Sequence, residues 1–335
     1  MTAANPSRPG LREGGSDDLE LFRDQFTGEV ITAFETQVLL KDKHTIKTIQ
    51  SGKSASFDAV WKVGSSYHTP GAEILGQNVD HDQILIGVDG FLIADTFISE
   101  IDEAMSEWDV RSKYAMEIGR ELALQYDRNV CRNILLSSRG AALFTDDLGG
   151  STLTNANYGT VAADLFNGLN DAVQTMDEKD VPVDTFQVYA GFKPAQYYLL
   201  ANDDKNIDKN FGGTGSLSGR GIKTVNDVIV LKSNAFVFGR DETAYNATTN
   251  TDGLIGHPSD PLAADVAKLK AKYQGDWAST VGMVWTEQAA ASVHLREVGV
   301  TMADDPRRIG ELVYGKYATG HGTLRTKCAV ELATA

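Results

Sequence analysis

Few residues of this chain stand in a pattern that could do chemistry. The sharpest is Ser51-Gly52-Lys53-Ser54, which resembles the end of a loop that cradles nucleotide phosphates with backbone N–H groups and a lysine. On that reading Lys53 would hold the phosphates of an ATP-using enzyme. The motif also needs a glycine five positions before Gly52, where Lys47 stands, and the residues that follow read as strand rather than helix. A small-residue turn is therefore expected here, with a nucleotide site as the enzymatic alternative.

The other candidates are weaker. Gly212-Gly213-Thr214-Gly215 lacks the third glycine of a dinucleotide fingerprint and reads as a loop. Gly52-Lys53-Ser54-Ala55-Ser56 misses a nucleophile elbow by its last residue. The six histidines, at 44, 68, 81, 257, 294 and 321, form no pair at metal-ligand spacing, and His321, between two glycines, reads as a turn residue. Asp146-Asp147, Asp203-Asp204 and Asp304-Asp305 read as solvated surface, and Asn246-Ala247-Thr248 is a sequon without a secretory context. Cys131 and Cys328 are too few and too far apart for a disulfide framework. Cys131, inside a helical pattern, reads as a small core residue. No catalytic, cofactor-binding or metal-ligating set is expected.

Bulk properties bound the rest. The chain has 335 residues, 42% of them hydrophobic and 23% charged, enough for one large domain or two smaller ones. A formal charge of −15 argues against a nucleic-acid reader, because phosphate binding needs clustered lysine and arginine. It suits a surface that lies near nucleic acid without adhering to it. Residues 1–18 lack the apolar run of a secretory signal, and no stretch approaches the ~20 apolar residues of a membrane span. A soluble chain made in a cytoplasm is the expectation.

The elements that follow are unusual in length. Leu19–Phe34 carries an amphipathic pattern with some helix. Residues 45–98 alternate in a strand-like way around a polar middle, Gly64–Asp82, with a turn at Pro70-Gly71. The strand Ile84–Ile93 leads into a helix read over 101–139 from the spacing of Ile101, Ala104, Met105, Trp108, Ala115, Ile118, Leu122, Tyr126, Val130 and Ile134. Roughly 37 residues at ~1.5 Å each give a rod of ~55 Å. Two ribbon legs of about 16 to 20 residues reach about 55 to 65 Å. An isolated two-stranded ribbon is marginal in water, so a neighbouring copy is expected to cover it. Beyond Gly140 shorter elements predict a mixed α+β body with antiparallel strands: helices at 161–176 and 194–201, and strands at 185–189, 225–231, 281–285, 294–298 and 312–317.

In order and spacing, these residues resemble the major capsid proteins of short-tailed phages of the T7 type, which use the shell fold named after phage Hong Kong 97. The resemblance runs through Gly28-Glu29-Val30, Thr32-Ala33-Phe34, Ser51-Gly52-Lys53-Ser54-Ala55, Pro70-Gly71, Asp89-Gly90, Ala94-Asp95, Ala104-Met105 and Asp109-Val110-Arg111-Ser112 with Tyr114. It resumes at Val181-Pro182, Leu295-Arg296, Lys316-Tyr317-Ala318, Gly320-His321-Gly322 and Leu324-Arg325.

The resemblance implies an HK-97-like fold with an N-terminal arm (1–45) and an extended loop (46–97). A peripheral domain with its spine helix would follow (98–140, plus strands from about 286–318), then an axial domain (141–285, plus about 319–335). It implies self-assembly into hexamers and pentamers of an icosahedral head enclosing double-stranded DNA, helped by scaffolding protein and a portal ring. A bacterial nanocompartment shell is the alternative on the same fold. Gly52, Pro70 and Gly71 are candidates for re-aiming the loop between shell positions. Asp89, Asp95, Asp109 and Arg111 are candidates for polar locks where loop meets spine, or for ordinary turn and capping roles.

Overall fold

The computed structural model describes residues 20–71, 73–105, 110–201, 224–225, 227–242 and 272–335. Helix α1 (Glu20–Gln37) sets Phe26, Val30 and Phe34 on one face, four residues apart, and all three are buried. They meet the face of α3 (Val110–Ser138) that carries Ala115, Ile118, Leu122 and Tyr126. Burying each large side chain is worth about 1.5–3 kcal/mol, so this seam holds α1 to the body. The helices meet closely at Gly119, where a Cβ would lie 2.5 Å from the Val30 carbonyl oxygen and 2.8 Å from Ala33 Cβ.

Under α3 lies a four-stranded sheet in the order β1-β10-β11-β4, formed by β1 (Thr45–Thr48), β4 (Leu92–Ser99), β10 (Ala290–Asp305) and β11 (Gly310–Thr323). The long hairpin β10–β11 pairs from Ala290 with Thr323 to Asp305 with Gly310, with bulges between His294 and Gly299. Val313 and Tyr317 are buried on the side that faces α3, and Gly315 lies below Ile118 and Leu122.

A second sheet has six strands in the order β5-β12-β9-β6-β8-β7: β5 (Ser151–Thr154), β6 (Val188–Phe192), β7 (Thr224–Val225), β8 (Val228–Lys232), β9 (Thr280–Thr286) and β12 (Ala329–Ala333). Helix α4 (Ala162–Glu178) buries Leu165, Leu169, Ala172 and Met176, and α5 (Pro194–Ala201) bridges β6 to β8. Ion pairs at and just beyond the last turns of α3 tie it to this half of the body. Arg132 bonds Glu242, and Arg139 bonds the fully buried Glu331 of β12. One helix is thereby common to both sheets.

The structure corrects several expectations. The helix read over 101–139 contains α2 (Glu100–Met105) and α3, with residues 106–109, Trp108 and Asp109 among them, outside the described residues. Its 29-residue part α3 spans about 44 Å. Ala115, Ile118, Leu122, Tyr126, Val130 and Ile134 are buried as the spacing requires, but Ile101 and Met105 are exposed. The strand expected from Ile84 to Ile93 breaks at Val88–Phe91, and its halves enter different sheets as β3 (His81–Gly87) and β4. Three strand pairs are parallel (β1 with β10, β12 with β5, β6 with β8), because alternation reveals a strand and not its direction. His321 sits inside β11, paired with Ser292 of β10 and buried. Its flanking glycines admit close neighbours instead of making a turn: a Cβ at Gly320 would overlap the Gly87 carbonyl oxygen, and one at Gly322 would press on Ile86.

Candidate functional site

The reaching element is a two-stranded ribbon, β2 (Ser54–Val60) against β3, in register from Ser54 with Gly87 to Val60 with His81. It belongs to neither sheet. Its base rests on the body through a small core of Ala55, Ile86, Ala291 and Val293, flanked by Phe57, Ile84 and Leu324. The Trp61 N–H still bonds the Asp80 carbonyl at 2.9 Å, and the described residues between, 62–71 and 73–80, run without helix or strand.

This outer segment is where apolar surface is left uncovered. Tyr67 is fully exposed, Ile74 is 80% and Leu75 86% exposed, and Val60 and Val63 are more than half exposed. Single apolar residues on a surface need no account, but several large ones exposed on one short segment are what an interaction site presents. Between the ribbon and the body opens a cleft of about 990 Å³, walled by Phe57, Trp61, Phe144 and Leu324. Its contacts are light: Trp61 and Phe144 meet with centroids 5.1 Å apart, and Lys62 pairs with Asp180 at the exposed rim, where an ion pair contributes at most ~1 kcal/mol.

The structure places the sequence candidates in different settings. Gly52 has φ +116° at an exposed turn just before β2, and a strand follows it, not the helix of a phosphate loop. Pro70 and Gly71 form an exposed turn at the outer end of the loop, with Gly71 at φ +87°. Asp95 is exposed on β4 opposite Tyr314. Arg111, in the first turn of α3, pairs with Glu311 of β11 at 3.0 Å. Asp109 lies outside the described residues. Asp147, expected as solvated surface, is half-buried against Lys327 at 3.1 Å.

Asp89 stands at the exit of the ribbon. Its carboxylate accepts hydrogen bonds from the Tyr273 hydroxyl and from Lys272 Nζ at 3.3 Å, and its N–H bonds the Thr319 carbonyl. Burial raises its pKa, against the pull of Lys272 and Tyr273. Tyr273 in turn accepts the N–H of His321, so the ribbon exit is tied to β11 through two residues that sequence spacing could not pair with it.

His321 belongs to a buried polar cluster also absent from the sequence candidates. His44 Nδ1–H donates to the Leu40 carbonyl at 2.7 Å, which leaves Nε2 to accept from the Ser292 hydroxyl at 2.6 Å. With its proton so used, Ser292 Oγ accepts from His321 Nδ1–H at 2.6 Å, and His321 Nε2 faces the Thr319 hydroxyl at 3.3 Å. The Tyr126 hydroxyl lies 3.0 Å from His294 Nε2 and 3.3 Å from His44 Nε2. Burial lowers all three imidazoles, His44 to about 4 and His321 well below its ordinary value. Ser292 between two imidazoles has the atoms of a nucleophile with a base, but it is fully buried and the arrangement serves as a relay within the core. Among the described residues no group of His, Cys, Asp and Glu is arranged to hold a metal ion. Cys131 is fully buried as expected, and burial pushes its thiol up to about 12, so it carries no reactive thiolate.

Known proteins give this geometry its context. The family model described as "Gp10A-like: Major capsid protein" matches residues 56–333. The major capsid protein of Escherichia phage T7 is 26% identical over 326 residues, covering 93% of this chain and 91% of that protein. Among solved structures, the capsid of cyanophage P-SCSP1u superposes with a TM-score of 0.73 at 29% identity, covering 100% of this chain and 99% of that one. The mature capsid of bacteriophage PhiM1 matches with a TM-score of 0.69 over 89% of this chain and 87% of that one. At 16% identity it attests the fold alone.

Proposed function

This chain belongs to the Gp10A-like family of major capsid proteins, and from that premise we propose how a subunit of this shape builds its shell. The protein is structural, and its copies form the icosahedral capsid of a phage virion. The family match favours the phage head over a nanocompartment, and over an enzyme built on Lys53.

The carrying observation is the outer loop, which presents Val63, Tyr67, Ile74 and Leu75 to solvent beyond a ribbon held by a small core at its base and by Trp61 and Lys62 at its outer end. A neighbouring copy covers these side chains in the shell, burying apolar area that one subunit cannot bury. A contact of ~800 Å² per partner supports stable association, and several per subunit act together. The division into arm (1–45), extended loop (46–97), peripheral part with α3 and axial part is supported by the two separate sheets and the helix they share. Gly52, Pro70 and Gly71 re-aim the loop among hexamer and pentamer positions. Asp89, Asp95, Asp109 and Arg111 act as locks where loop meets spine; for Asp89 and Arg111 the observed ion pairs support this. Scaffolding protein guides closure and a portal ring marks one vertex. The net charge of −15 leaves enclosed double-stranded DNA free to slide.

The test replaces Gly64–Asp80 by a two-residue turn. The shortened chain should stay folded by circular dichroism and fail to form closed particles in electron microscopy. Closed particles from that chain would refute the role of the loop.

A further inference from the structure

Five segments meet at one buried point: the link from α1 to β1 through His44, α3 through Tyr126, β10 through Ser292 and His294, β11 through Thr319 and His321, and the Asp89–Tyr273 tie at the ribbon exit. The donor pattern along Leu40, His44, Ser292, His321 and Thr319 is satisfied only when both imidazoles are neutral, because each nitrogen then has one fixed role. A proton on His44 Nε2 would turn an acceptor into a donor facing a hydroxyl that already accepts from His321. The Ser292 hydroxyl proton would then have to turn from the His44 nitrogen to the Tyr126 oxygen, and an added charge would sit in a core where burial is costly.

We propose that this histidine cluster is an acid-sensitive lock on the junction of α1, β1, β10 and β11. It stays closed while the imidazoles are neutral and releases the junction, and with it the ribbon exit, when they take up protons.

The surrounding groups set the sign. Lys41 and Asp42 lie on the α1–β1 link, Tyr126 and Asp127 on α3, His294 and Glu297 on β10, and Tyr317 on β11, while Lys272, Tyr273 and Asp89 close the far side. Lys41 acts on His294 and Lys272 on His321, each disfavouring a further positive charge; Asp42 and Glu297 favour it less strongly than burial opposes it. His44 drops from 6.5 to about 4, so the closed form binds fewer protons than an opened one between those values. Acidification across that window therefore favours opening by roughly two orders of magnitude for His44 alone, and His294 and His321 add in the same direction. Two carboxyls whose pKa values burial raises, Asp127 and Asp89, oppose them. Asp127 accepts the N–H groups of Leu39 and Leu40, each at 2.9 Å, and burial pushes it up to about 7, so its contribution is complete at low pH and declines as pH rises toward 7. The hydrogen bonds set the direction: a proton on Asp127 leaves oxygen lone pairs for both N–H groups, whereas a proton on His44 reverses its bond with Ser292.

The experiment uses the full-length protein. Hydrogen exchange at the imidazole C2 position, read by mass spectrometry from pH 4 to 8, gives each histidine its own titration. His44 should titrate at about 4 and His321 well below its ordinary value; an ordinary value for His44 and His321 overturns the proposal. The backbone exchange rate of residues 39–49 and 290–296, divided by the intrinsic rate at each pH, should rise at least tenfold between pH 6.5 and 4.5 in wild type. In a His44→Gln, His321→Gln variant that rise should be lost or moved to lower pH. An unchanged rise in the variant overturns the proposal too. If the variant does not fold, the wild-type titrations and exchange decide alone.

Discussion

Gly119→Ala and Gly28→Ala are the same chemical change on two helices that touch, and the structure gives them opposite signs. Gly28 lies on the exposed side of α1, where an added Cβ meets nothing within 4 Å. Alanine there gains helix propensity, about 1 kcal/mol at most. At Gly119 the same gain is available, but the Cβ arrives 2.5 Å from the Val30 carbonyl oxygen, 2.8 Å from Ala33 Cβ and 3.1 Å from the Phe34 amide nitrogen. Reaching ordinary contact near 3.4 Å requires α1 to retreat by about 0.9 Å, and what must move is backbone rather than the end of a flexible side chain. Forcing a methyl group into a packed seam costs about 1–3 kcal/mol, and the shift also loosens Phe26, Val30 and Phe34 from α3. Net of propensity, Gly119→Ala should destabilise by about 1–2 kcal/mol, while Gly28→Ala should stabilise by about 0.5–1 kcal/mol. Guanidinium unfolding of the full chain gives both values, and backbone hydrogen exchange along α1 locates the effect. A Gly119→Ala protein as stable as Gly28→Ala would refute the close approach of the two helices.

Two further outcomes follow from the core. Arg139→Ala should cost about 3–5 kcal/mol, because it strands Glu331, which is fully buried and bonded by Arg139 at 2.6 Å and 2.5 Å; replacing both partners, Arg139→Met with Glu331→Leu, should recover much of that loss in the same unfolding assay. Both thiols should resist a disulfide reagent at pH 8 until the chain unfolds, since Cys131 and Cys328 are buried and burial raises their pKa values; fast labelling of native protein would contradict the packing around them.

What could be read from the sequence was what repeats along one element. The four-residue spacing of Phe26, Val30 and Phe34 and the run from Ala115 to Ile134 are local patterns, and the structure buries them. The β10–β11 hairpin was visible only as two short pieces, since much of it carries polar residues on an outer face and its bulges break the alternation. Strand β12 escaped notice because Ala329–Ala333 has a glutamate at its centre. Glu331 is tolerated inside only because Arg139 and the Thr280 hydroxyl, both remote in sequence, bond it. The histidines failed as a sequence signal for the same reason. Residues 44, 294 and 321 have no common spacing; pairing of Ser292 with His321 and of His294 with Thr319, with β1 laid parallel on β10, brings them together.

These placements divide the subunit into a part that resists deformation and a part that does not. Helix α3 is fixed to β11 by Arg111 and Glu311, to the second sheet by Arg139 and Glu331, and to Glu242 by Arg132 between them. Bending that helix would break charged contacts whose carboxylates are largely or wholly buried, each costly to strand. Among the described residues the loop beyond Trp61 has no comparable contact: its ion pair, Lys62 with Asp180, is exposed, and its glycines 71 and 76 hold positive φ in open space. A shell of identical chains in unlike positions must absorb the differences somewhere, and strain gathers where displacement breaks the fewest contacts. On the proposed reading that place is the ribbon and its loop, and the buried histidine junction at the ribbon exit is where a change in the body would be passed to it.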